Sequence, residues 1–113
     1  MPILPEIQAL VDRLNQELNE TEQEAIEGIN LVRQRLSLFP DNEVLIQFLA
    51  SLNNILFFVE INRGRIMNLV DRISPEDVPA EIIQDAVEDL GLILVRALEV
   101  KINANRLHTR LEN

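Results

Sequence analysis

The stretch from Glu43 to Ile73 limits what this chain can fold into more than any other. Wound as a helix, it sends Leu45, Phe48, Leu49, Leu52, Ile55, Leu56, Val59, Ile66, Val70 and Ile73 within about 60° of one direction. A thinner apolar stripe of Ile46, Ala50, Phe57 and Ile61 runs almost opposite. A helix apolar on two sides needs partners on two sides, so this stretch reads as the middle element of an all-helical packing.

The flanking segments supply those partners. Pro5 suits a first helical turn, and from it the apolar face runs through Ile7, Leu10, Val11, Leu14, Leu18, Thr21, Ala25, Gly28, Ile29, Val32, Leu36 and Phe39. Thr21 and Glu24 spell a capping box, which would break this helix near 19–21. The apolar direction keeps its phase across that point, which favours one continuous helix. Its small central residues, Thr21, Ala25 and Gly28, leave room for the larger side chains of the middle helix. Pro40 ends the first helix, and Asp41 or Asn42 can cap the second. Ser74–Pro79 is the second turn. Beyond it Ile82, Ile83, Ala86, Val87, Leu90, Ile93, Leu94, Ala97 and Leu98 form a third face, weakening past Val100.

The expected fold is therefore all-α, an elongated antiparallel bundle of three long helices at about 5–38, 42–73 and 79–111, each roughly 50 Å long. Residues 1–113 read as a single domain, and a dimer is expected from the surplus apolar surface. The alternative is a four-helix bundle with the first helix broken near 19–21.

Net charge is −9 from 19 acids and 10 Lys or Arg, so a nucleic-acid partner and adhesion to an anionic membrane are disfavoured. Gln47, Asn53, Asn54 and Glu60 interrupt the most apolar window, which argues against a membrane span. The first residues lack the basic start and apolar run of a signal peptide, and a cytoplasmic location is the expectation. The absence of Cys excludes thiol-ligated metals.

Two cations interrupt apolar faces: Arg63 on the line of Leu52 and Val59, and Lys101 on the line of Leu90 and Leu94. Pairing the helices about their turns sets Arg63 level with Glu17, Glu20 and Asp89, and Lys101 level with Glu24 and Glu27. Arg63, Lys101, Glu17, Glu24 and Asp89 are thus candidates for rim ion pairs or for a charged groove. Glu17, Glu20, Glu24 and Glu27 recur at helical spacing and read chiefly as a solvated acidic stripe. His108 reads as a frayed terminal residue. Gly64, alone among Arg63, Arg65 and Arg72, suggests a close helix approach or a kink rather than a phosphate loop.

No catalytic, cofactor or metal site is expected, and no enzyme. A lone His has no second His, and no Glu-x-x-His pair builds a di-metal bundle. The positive signal is surplus apolar surface: Ile46, Ala50, Phe57 and Ile61 on the middle helix, with Leu92, Val95 and Ile102 on the last. These seven residues are the expected interface of a homodimer, in a non-enzymatic helical module that binds another protein. The alternative is a regulatory bundle sensing an apolar or anionic small molecule near Phe57, Phe58, Arg63 and Arg65.

Overall fold

The computed structural model describes residues 4–112, which form three helices packed against each other: α1 (Pro5–Leu38), α2 (Glu43–Ile73) and α3 (Ala80–Glu112). Together they make a rod of 59 × 19 × 17 Å.

Each boundary follows from local chemistry. Pro5 opens α1, and the Leu4 carbonyl accepts from the Ile7 and Gln8 N–H groups. Pro40 halts α1, and the Phe39 N–H bonds back to Arg35. Of the two candidate caps for α2 it is Asn42 that serves, its side chain accepting from the Leu45 N–H at 3.1 Å. The Pro79 carbonyl accepts the first N–H groups of α3, from Ile82 and Ile83. The capping box at Thr21 goes unused, and α1 runs through 19–24 unbroken. Thr21 is wholly buried, and its hydroxyl donates to the Glu17 carbonyl one turn back at 2.7 Å. A residue this deep in a seam has no free chain end to cap.

The buried positions keep a seven-residue period. On α1, Ile7, Val11, Leu14, Leu18, Thr21, Ala25, Gly28 and Val32 follow in steps of four and three, with Ile29 buried beside Gly28 outside the rhythm. On α2, Leu45, Leu52, Val59, Ile66 and Ile73 recur every seven residues, with Asn62 and Leu69 between. On α3, Ala86, Leu90, Ile93, Ala97, Val100 and Ala104 repeat the steps, and Leu111 closes them. A period of 3.5 rather than 3.6 keeps each seam facing its neighbours only if the helices coil gently around one another. The third face thus does not weaken past Val100: Ala104 and Leu111 are almost wholly buried. Phe39 does leave the first face, and in the turn it is 60% exposed.

Gly28 serves as expected. A Cβ there would stand 3.0 Å from Leu52 Cδ1, so the glycine admits the Leu52 side chain against the α1 backbone. Opposite Gly64 there is nothing within 4 Å, so no close approach within the chain accounts for it. Leu52 of α2 faces Gly28 of α1, and Arg63 of α2 faces Glu22 of α1. Lys101 and His108 of α3 face Glu17 and Glu24 of α1.

The core divides in two. One cluster joins Ile7 to Leu18 with Val59 to Ile73 and Ala86 to Ala97; the other joins Ala25, Ile29, Val32, Leu45, Leu52 and Leu111. Between them lie the small residues Thr21 and Ala104.

Candidate functional site

α1 meets its neighbours along a charged border. Arg63 reaches from α2 to Glu22 at 2.6 Å, and also donates to the Asn19 carboxamide. The expected partners Glu17, Glu20 and Asp89 do not hold it; Asp89 lies instead by a small pocket with Arg65 and Arg72. Lys101 reaches from α3 to Glu17 at 3.0 Å and to Glu20 at 2.5 Å, rather than to Glu24 and Glu27. The expected register assumes a tight reversal. Six residues, 74–79, separate α2 from α3, and the Lys101 pairs set α3 about two turns away from that register against α1.

Glu24 therefore belongs to His108, whose Nδ1 lies 2.7 Å from its carboxylate. Glu27 at 3.6 Å and Glu112 at 3.5 Å also face the ring, which is only 14% exposed. His108 is packed against α1 and not a frayed end. The supposed acidic stripe is thus an interhelical ion seam: Glu17 and Glu20 take Lys101, and Glu24 takes His108. Sequence reading missed this because a spacing rule sees one helix at a time.

These contacts tune the charges. The Lys101 bond holds the Glu20 carboxyl below its ordinary range, and the Arg63 bond does the same for Glu22. Glu20 and Glu17 raise Lys101, and Glu22 raises Arg63. Glu24 raises His108 against the opposing effect of its burial. All of them are satisfied structural pairs, and none presents an unpaired acid or base to a cleft. Among the described residues no group of three or more His, Asp or Glu is arranged to hold a metal ion.

The seven apolar candidates all lie outside the core. Phe57 is 63% exposed and Leu92 68%, with Val95, Ile102, Ile46, Ile61 and Ala50 exposed beside them on their helices. Met67 and Val44 add to the exposed apolar surface of α2. By length and composition α2 is long and apolar enough to cross a membrane; its most apolar window has mean hydropathy 1.8 and is 22% buried.

Comparison with known proteins finds no match: no family model fits the chain, and no curated protein or solved structure resembles it. Function must be read from surfaces alone.

A second surface was not legible in the sequence. Between α2 and α3 lies a groove of about 810 Å³, with Ile55, Phe58, Val100 and Leu107 among its apolar lining. Arg96, Arg106 and Arg110 line it together with Asn54 and Asn103, and no acid does. The Arg110 guanidinium sits 5.3 Å from the Phe48 ring centroid. Of the residues expected around a small molecule, Phe58 lines this groove, but Phe57, Arg63 and Arg65 do not. The arginines that do line it stand on α3, 38 to 52 residues downstream of Phe58, so spacing alone does not bring them together.

Proposed function

We propose that the chain is a non-enzymatic helical interaction module that self-associates and presents a further surface to a protein partner. The helices run up, down and up as an antiparallel bundle, a path supported by the pairs Gly28–Leu52, Arg63–Glu22 and Lys101–Glu17. One observation carries the functional reading: two apolar stripes, on α2 and α3, stand in solvent. Burying a largely exposed Leu or Phe stabilises an assembly by roughly 1–2 kcal/mol, so Phe57, Leu92, Val95 and Ile102 together favour association. The expected interface is the outer faces of α2 and α3, with Ile46, Ala50, Phe57, Ile61, Leu92, Val95 and Ile102.

The reading keeps α2 in water, in the cytoplasm. Its apolar window carries Gln47, Asn53, Asn54 and Glu60, each of them exposed, and lipid around the helix would strip water from all four. Sedimentation of the purified chain tests the proposal. We expect a dimer that Phe57→Glu or Val95→Glu dissociates; a monomer at every concentration, or a mass unmoved by either change, rejects it.

The acid-free groove favours a second reading, a bundle that holds an anionic small molecule between α2 and α3. In a chain with 19 acids, three arginines over an apolar floor are a local reversal of sign. Mass released from the native protein on denaturation is the measurement for it.

A further inference from the structure

The outer face of α3 carries a second seam. Counting from Glu81, the positions Asp85, Glu88, Leu92, Val95, Glu99, Ile102 and Arg106 follow in steps of four and three, the same rhythm as the buried seam, and all are exposed. A seam of this period is what one helix offers another in coiled-coil packing. Its chemistry is graded: three acids first, then Leu92, Val95 and Ile102 with Glu99 among them, then Arg106 and the neighbouring Arg110.

From this we infer that α3 pairs with α3 of a second copy, antiparallel, about a two-fold axis level with Ala97. The inference rests on the self-association proposed above and names its contact. In antiparallel packing each seam position meets its mate from the other track. The register that does this sets Glu88 against Arg106, Leu92 against Ile102, and Val95 against Glu99, every pair occurring twice by symmetry. Asp85 falls beside Thr109 and Arg110. Arg96 and Glu99, joined at 3.1 Å within one helix and both more than half exposed, flank the axis and can exchange partners between copies.

The alternatives fail on charge. A parallel pair sets Glu81, Asp85 and Glu88 against their own copies, and Arg106 against Arg106. The outer stripe of α2 has no charge on its own line from Ile46 to Gly64, and Glu60, Arg65 and Arg72 stand to its sides, so it lacks the acid-to-base order of α3. The α3 pairing narrows the self-association interface proposed above to its α3 residues and leaves the α2 stripe for the protein partner. The occupant of the α3 seam is therefore a second copy of this chain.

Because the chain has no cysteine, introduced ones report position directly. Asp85→Cys and Thr109→Cys chains are mixed and oxidised, alongside sedimentation of Glu88→Arg, Arg106→Glu and the double exchange. All the altered residues are exposed, so the fold is not at stake. We expect disulfides between the two kinds of chain and not within either kind. Each single reversal should weaken the dimer about tenfold or more, and the double exchange should restore it to within about threefold. A dimer whose Asp85→Cys chains link to each other, or that ignores both reversals, overturns the α3 pairing and leaves self-association standing. Dissociation by Phe57→Glu but not by Val95→Glu moves the contact to α2 and overturns it equally. A monomer throughout removes both.

Discussion

The Nδ1 of His108 lies 2.7 Å from Oε2 of Glu24, joining residues 84 positions apart across α1 and α3. Glu24 raises the imidazole pKa above 6.5, so protonation and folding favour each other. The stability this contributes is fully present below the unfolded value of 6.5 and is lost as pH rises through the raised folded value. A part-buried pair of this kind is worth on the order of 1 kcal/mol, or a few degrees in Tm. Melting temperature should therefore fall across neutral pH in the native chain. His108→Gln, which keeps a donor for Glu24 without titrating, should flatten that step.

Glycine substitutions should separate by position. Gly28→Ala sets a methyl group 3.0 Å from the wholly buried Leu52, and overpacking should outweigh the gain in helix propensity, for a net loss of about 1 kcal/mol. At Gly64 and Gly91 nothing stands within 4 Å, so alanine there should stabilise by about 0.5–1 kcal/mol. Urea denaturation at concentrations low enough to hold the monomer measures all three. Equal effects would mean that α1 and α2 are not in close contact at Gly28.

Removing the two bridging cations should cost unequal amounts. Lys101→Met leaves Glu17, with its side chain 14% exposed, without its partner, and should destabilise by about 1–2 kcal/mol. Arg63→Met leaves Glu22, 35% exposed and able to turn to water, and should change stability by less than about 1 kcal/mol. Chemical denaturation of the two variants side by side checks the order; a larger loss at Arg63 would contradict it.

Thr21→Val isolates one buried hydroxyl. The Thr21 hydroxyl donates to the Glu17 carbonyl within its own helix, and the residue is wholly buried. The isosteric change should be neutral or mildly stabilising, within about 1 kcal/mol, as read from thermal melting. A large loss would reveal a polar role for Thr21 beyond this bond.

Much of the architecture was legible because it is local. Periodicity places every helix, Pro5 and Pro40 mark ends, and the room left by Gly28 follows from its place on the apolar face of α1. The outward stripes on α2 and α3 were equally legible, since each belongs to one helix. What involves two helices was not. The pairing of Lys101 with Glu17 and Glu20 depends on how far 74–79 travels before α3 begins, and no residue pattern records that distance. The same displacement turned a supposed solvated stripe into an ion seam and gave His108 its partner. The groove with Arg96, Arg106 and Arg110 arises for a like reason: it exists only where two helices stand apart.

The divided core bears on how the rod comes apart. Leu111, one residue from the end of α3, belongs to the cluster that also holds Leu45 and Leu52, while Ile7 and Ile73 belong to the other. With the small side chains of Thr21 and Ala104 between them on α1 and α3, each half can melt without dragging the other fully open. Amide exchange should then resolve two cooperative blocks. The block holding Leu111 should loosen first when the last turn of α3 is cut away, leaving the protection of Leu14 and Leu90 in place.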